Sequence, residues 1–222
     1  MNHTAIFIIT YLCDILLFAV ALIGVLRYKR LEPAFKVLAT AAVASLSLNI
    51  IENIYIAVYK SNAPIYHIRA IVEYIFYALT YYYLFTNRRL KTIILVSIAV
   101  LTPFSIINAL YLQPYHNTFP TYVNVPTLAL LVIFALMLFK QMLLSPLKTP
   151  LMKQGTFWFN TGIIFYSTTM FLVIGLSNVY KSDLSLYIVV FYLWYSIVYI
   201  FAILVGIALF TDNRKIDNNH AV

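Results

Sequence analysis

Of 222 residues, 63% are hydrophobic and 10% charged, with a mean hydropathy of +0.89; soluble domains are about a quarter charged, so this composition belongs to the membrane class. Five glycines, with no GxxxxGK[ST] or GxGxxG run, exclude a glycine-rich phosphate loop. One cysteine, Cys13, excludes an internal disulfide and a multi-cysteine metal site, and within an apolar run it reads as a small hydrophobe.

Stretches of about 20 apolar residues are long enough to cross a bilayer as helices. Seven occur, at 4–27, 36–59, 65–86, 91–112, 119–143, 156–178 and 184–211. The expected fold is therefore all-α, a single transmembrane domain over 1–222 built as a seven-helix bundle. The breaks read LEP, SNAP, NRRLK, QPYHNTFP, SPLKTP and NVYKSD, rich in turn and interfacial residues. Connections this short leave no room for a soluble kinase, nuclease or binding domain. The opening MNHTAIFIITYLCD has no basic n-region or small-residue cleavage site, so it reads as the first span rather than a signal peptide.

Basic residues set the expected orientation. Arg27, Lys29, Arg30, Lys36, Arg88, Arg89, Lys91, Lys140, Lys148, Lys153, Arg214 and Lys215 fall on one side, and only Lys60, Arg69 and Lys181 on the other. Lysine and arginine concentrate in the cytoplasm, which places the N-terminus outside and the C-terminus inside. The net charge of +8 is then a topology signal with affinity for anionic lipid heads, not a nucleic-acid signature.

Charges inside the spans carry the functional information. Asp14 lies in the first span, Glu52 in the second and Glu73 in the third; Glu32, Asp183, Asp212 and Asp217 fall in loops or the tail. At 1.5 Å rise per residue all three carboxylates sit roughly 10–14 Å from the outer ends of their spans. Each would cost about 2.5–3.5 kcal/mol if it faced lipid near the centre, so the three are expected to face inward, pair or take up protons. Helical spacing agrees. Thr10, Tyr11 and Asp14 form one stripe; Ser45, Asn49, Glu52 and Tyr59 another, with Asn53 at its edge; Tyr66, Arg69, Glu73 and Tyr77 a third. Asn108 and Asn124 reach similar levels on spans 4 and 5. The expected ligand or ion site is Asp14, Asn49, Glu52, Asn53, Arg69, Glu73 and Tyr77, in an outward-facing recess between the first three helices. The other reading is a structural salt-bridge knot, since Arg69 is one turn from Glu73 and near Glu52 across a short hairpin. Tyr55, Tyr59, Tyr66 and Tyr77 would complete an acidic aromatic cage for a cationic amine.

The remaining polar residues have plainer readings. His67 lies near the interface and is expected to be solvated or hydrogen-bonded rather than a ligand. Asn160 and the hydroxyls of Ser167, Thr168 and Thr169 occupy span 6, where hydroxyls usually bond to helix backbone. Pro103 and Pro126 lie inside spans 4 and 5, where kinks can open a cavity. Trp158 and Trp194 read as structural.

Several seven-helix families are excluded by missing residues. Residues 184–211 hold no lysine for a retinal Schiff base, spans 4 to 7 hold no histidine for a ceramidase-like zinc hydrolase or bis-histidine haem, and no GxSxG occurs. Seven-span sugar transporters carry paired prolines and an internal repeat, and neither is evident. Asn49 and Glu52 ending span 2, Glu73 and Tyr77 in span 3, and Phe157, Trp158, Gly162 and Tyr166 in span 6 resemble a group of small, largely uncharacterised bacterial seven-span proteins. Some of these are similar to the membrane input modules of sensor histidine kinases. That resemblance implies a multi-pass protein of the bacterial inner membrane with a receptor-like role and a separate cytoplasmic signalling partner, because no kinase domain is present.

Three functions fit, in order: ligand sensing at the polar recess; proton-coupled transport of a small molecule, needing an inner-half route through Asn160 and residues 167–169; and a metal-dependent intramembrane hydrolase using Asp14, Glu52, Glu73 and His67, although His67 stands about 9 Å above Glu73 along its helix. No cofactor is expected, and the first two would not make the chain an enzyme.

Overall fold

In a computed structural model, residues 3–116, 118–144, 150–175 and 184–212 are described. Lys148, Lys181, Asp183, Arg214, Lys215 and Asp217 lie outside them. Among the described residues there are seven α-helices: α1 (His3–Arg27), α2 (Pro33–Tyr59), α3 (Ala63–Leu84), α4 (Arg88–Ile107, continued by a π-helical turn Asn108–Leu112), α5 (Thr121–Leu144), α6 (Gly155–Gly175) and α7 (Leu184–Thr211). The expected span limits lie within three residues of these, counting the π-helical turn with α4, and the span 184–211 coincides with α7.

Local chemistry sets the helix ends. Pro33 and Pro64 occupy the first turns of α2 and α3, where the missing N–H is harmless. Asn87 caps α4 by accepting the Arg89 N–H at 2.8 Å. Lys60, left-handed at φ 58°, ends α2. Pro126 lies inside α5, where the Thr127 hydroxyl donates to the Val123 and Asn124 carbonyls at 2.9 Å beside the interrupted ladder.

Packing follows the chain almost all the way round. The first helix contacts α2 and α7, α2 contacts α3, α3 contacts α5, α5 contacts α6, and α6 contacts α7, which closes a ring. The fourth helix stands outside it, held chiefly against α3. The ring's outer face is as apolar as its core: Ile8, Leu12, Ile15, Phe18 and Leu22 form an exposed stripe on α1, and Ile93, Val96, Val100 and Ile107 do so on α4. Such a surface is stable only against lipid. The chain is a membrane-embedded helical bundle.

Among the described residues, six helices are long and apolar enough to cross a bilayer. The third is not among them, because His67, Arg69, Glu73 and six tyrosines dilute its aliphatic content. Its 22 residues nonetheless extend about 33 Å, and its central position explains how the polarity is tolerated: α2, α4 and α5 pack around it.

The helix ends that carry Arg27, Lys36, Arg88, Arg89, Lys91 and Lys153 share one end of the bundle, here termed the basic end. The bundle is tightest there. A Cβ on Gly24 would lie 2.9 Å from Ala39 Cβ, and one on Gly155 would lie 2.6 Å from the Ala208 carbonyl oxygen. Tyr81, Phe85, Phe134 and Phe159, all essentially fully buried, form an aromatic layer with Tyr81 ring distances of 5.2–6.0 Å. Through it the Tyr81 hydroxyl donates to Asn160 Oδ1 at 2.9 Å, and Asn160 Nδ2 donates to the Ala135 carbonyl at 3.0 Å.

Asp212, expected in a loop or the tail, is buried at this end. Its carboxylate accepts the Glu32 N–H at 2.9 Å, its carbonyl accepts from Arg27 Nη2 at 2.7 Å, and the Arg27 guanidinium lies over the Phe210 ring. Burial pushes the Asp212 carboxyl from its ordinary 3.8 up to about 6, with the Glu32 N–H opposing, the Glu32 charge reinforcing and Arg27 opposing. A group with a raised folded-state value contributes stability that is full below its unfolded value and lost as pH rises through the folded one. Wild type should therefore lose stability relative to Asp212→Asn between about pH 4 and pH 6, by about 1 kcal/mol because water at the bundle end screens part of the burial cost. Thermal unfolding of both proteins across that range measures it; a pH-independent difference would show that the carboxyl does not titrate there.

Candidate functional site

The end of the bundle opposite the basic end gathers polar side chains from neighbouring helices. The short α2–α3 turn, with its left-handed Lys60, folds Glu52 on α2 against Arg69 on α3. Arg69 Nη2 donates to Glu52 Oε2 at 2.8 Å, and Arg69 Nη1 lies 3.8 Å from Glu73 Oε1, one turn along the same helix. Asn62, at the N-cap position of α3, makes no side-chain capping bond and instead donates Nδ2–H to Glu52 Oε1 at 2.8 Å. The two carboxylates are thus unequal. Both Glu52 oxygens have close charged or amide donors, whereas Glu73 has the looser guanidinium contact, the Ser45 hydroxyl at 3.2 Å and the Tyr166 hydroxyl. The Tyr66 hydroxyl completes the surroundings of Glu52. Arg69 Nε is buried without a hydrogen-bond partner.

These groups wall a cavity of about 100 Å³, room for a few water molecules or one small group. Of the expected site residues, Asn49, Glu52, Arg69, Glu73 and Tyr77 line it; Asp14 and Asn53 do not. Asp14 faces the edge of α2, hydrogen-bonded by Asn49 Nδ2 and with Asn53 Nδ2 at 3.4–3.5 Å, so it ties α1 to α2 beside the cavity. The recess also extends beyond the first three helices. Tyr166 from α6 and Trp194, Tyr195, Val198 and Phe201 from α7 form its other walls. The aromatic surroundings therefore come from Tyr66, Tyr77, Tyr166, Tyr195 and Trp194. Tyr55 and Tyr59 instead pack on each other at 4.4 Å, away from the cavity, with Tyr59 exposed.

A smaller cavity of about 40 Å³ lies towards α5 and α6, lined by Asn124, Leu128 and Met170 near Pro126. Tyr66, Arg69, Glu73, Tyr166 and Trp194 border both spaces. His67 is buried and donates Nε2–H to the Thr118 carbonyl at 2.9 Å, pinning the α4–α5 connection. Among the described residues no three His, Cys, Asp or Glu side chains come together in a way that could hold a metal ion. Asn108 starts the π-helical turn and donates to Gln113 at 3.3 Å, apart from both cavities. Trp158 is structural, its indole N–H donating to the Met152 carbonyl at 2.8 Å.

Removing one partner of a buried ion pair costs about 3–5 kcal/mol, because the other is left uncompensated. Arg69→Met should therefore destabilise the protein by that order. In double-mutant cycles the Arg69–Glu52 coupling should exceed the Arg69–Glu73 coupling, following 2.8 against 3.8 Å. Unfolding in mixed micelles measures both, and equal couplings would contradict the unequal pairing. Neither a family model, nor a curated protein, nor a solved structure matches the chain.

Proposed function

We propose that this chain is a receptor-like seven-span membrane protein that binds a small cationic ligand or ion at the Glu52–Arg69–Glu73 cluster and reports occupancy to a separate cytoplasmic partner. The observation that carries this reading is the loosely held Glu73 carboxylate on the wall of an aromatic-lined cavity. Two carboxylates and one guanidinium leave the cluster one charge negative when all are ionised. A single positive charge balances it, and tyrosine and tryptophan faces add cation–π attraction. An intramembrane ionisable residue is by default a functional-site hypothesis.

The third helix is taken as the seventh span, crossing within the shelter of its neighbours. The bias of Lys and Arg to one end supports a cytoplasmic basic end and an outward cavity, in a bacterial inner membrane as the sequence resemblance implies. The seventh helix contributes Trp194 and Tyr195 to the cavity and ends against Arg27 and Glu32 through Asp212, which supplies a path for reporting. Sensing is favoured over transport because the cavity ends before the basic end, where Gly24 packs against Ala39 and Leu209, and the neighbouring α3–α5–α6 interior is filled by the Tyr81–Phe85–Phe134–Phe159 layer.

Butylammonium should bind the protein in nanodiscs, measured by calorimetry. Glu73→Gln should weaken it at least tenfold while helicity is retained, and Asp14→Asn should leave it within twofold. Binding that ignores Glu73→Gln would remove the site from this cluster. On intact cells, a membrane-impermeant maleimide should label Ser61→Cys directly and Lys29→Cys only after permeabilisation; the reverse result would invert the topology.

A further inference from the structure

The fourth and fifth helices both pack on α3 and scarcely touch each other, which leaves an open groove of about 580 Å³ between them. Its long wall is one face of α4, where Arg89, Ile93, Val96 and Val100 recur at helical spacing. From Arg89 to Leu101 the groove runs about 18 Å along the axis, close to the ~15 Å depth of one bilayer leaflet. Leu130 borders it from α5, at about the level of Leu101, each roughly 20 Å from the basic end of its helix. Hydroxyls on this wall are already bonded. Thr92 donates to the Arg88 carbonyl at 3.1 Å, and Ser97 donates to the Ile94 carbonyl at 2.7 Å while accepting from Tyr74. Beyond Arg89 the wall therefore offers hydrocarbon only. A methylene takes roughly the ~30 Å³ of a water molecule, so the space fits one chain of about sixteen carbons and not two.

One end of the groove is strongly positive. Arg88, Arg89 and Lys91 fall in the first turn of α4, whose dipole directs its positive pole the same way. Lys140 adjoins Gln141, which accepts the Thr86 N–H at 3.1 Å, so the end of α5 brings a fourth cation to this corner. No aspartate or glutamate occurs between Glu73 and Asp183. Glu32 and Asp212 lie instead with Arg27, where α7 ends.

We infer that this groove holds an anionic phospholipid, its phosphate on Arg89 in the field of Arg88, Lys91 and Lys140, and one acyl chain along Ile93, Val96 and Val100. The site is separate from the Glu52–Arg69–Glu73 cluster and does not depend on its function. Hydrocarbon accepts any acyl chain, so selection among lipids falls to the head. A guanidinium fork matches a phosphate, whereas a choline head would bring one more cation to a corner that already holds four.

The protein is reconstituted in nanodiscs of mixed phosphatidylglycerol and phosphatidylcholine, doped with one or the other lipid carrying a mid-chain diazirine, and photolabelled residues are mapped by mass spectrometry. The exposed α1 stripe from Ile8 to Leu22 reports ordinary annular lipid under the pull of Arg27, Lys29 and Arg30. The ratio of glycerol- to choline-lipid labelling is expected to be at least threefold higher at residues 93–100 than on that stripe. Arg89→Gln removes the phosphate partner and Val96→Trp fills the groove; each is expected to bring the two ratios together. Equal ratios in wild type mean annular lipid alone and overturn the proposal. An excess that survives Arg89→Gln overturns the head position, and one that survives Val96→Trp overturns the chain position. Inorganic phosphate, compared with chloride at the same ionic strength, is expected to leave the excess intact; its loss would mark a free-anion site and overturn the lipid.

Discussion

A guanidinium surrounded by aliphatic helices needs a counter-charge within hydrogen-bond reach, and that requirement organises this bundle. Arg69 can be accommodated only because Glu52 reaches it across the α2–α3 turn at 2.8 Å, so α2 and α3 must pair closely, in this register, at this end. Asn62 then serves the same pair rather than its own helix terminus. Once Arg69 and Glu52 have satisfied each other, Glu73 is left with the weaker share. That inequality makes Glu73 the less tightly held of the two carboxylates.

The two ends of the molecule follow opposite packing rules. Towards the basic end, glycine contacts at Gly24 and Gly155 and a layer of interlocked rings leave little free volume. Towards the other, alanine and serine on α2 face rings on α7 across open space. Interiors packed to crystal density transmit displacement rather than absorb it. The seventh helix runs unbroken from Trp194, on the cavity wall, to Thr211, next to Asp212 at the basic end.

Much of this was legible from residue order. Span positions follow from apolar length, and the stripes Asn49–Glu52 and Arg69–Glu73–Tyr77 lie on one wall because helical period fixes which side chains share a face. Period does not fix how that face is turned relative to its neighbours. Asp14 accordingly sits at the right depth but points to the α2 edge, and Asn53 joins it there. Tyr166, Trp194 and Tyr195 were missed because rings in uniformly apolar spans carry no periodic signal. Asp212 read as a tail charge since nothing in order alone shows Arg27 folding over it. The polarity of α3 was visible, but the shelter that makes it tolerable depends on which helices surround it.

The position of α4 outside the ring has its own consequence. Apart from Ser97, which accepts the Tyr74 hydroxyl at 2.6 Å, and a few residues turned inward such as Ile94 and Leu101, its side chains answer to hydrocarbon and not to a protein partner. Lipid selects for greasiness and is indifferent to shape. Evolutionary drift along this helix should therefore preserve hydropathy while freely exchanging leucine, isoleucine, valine and phenylalanine, whereas the inward faces of the ring helices are constrained by their packing partners.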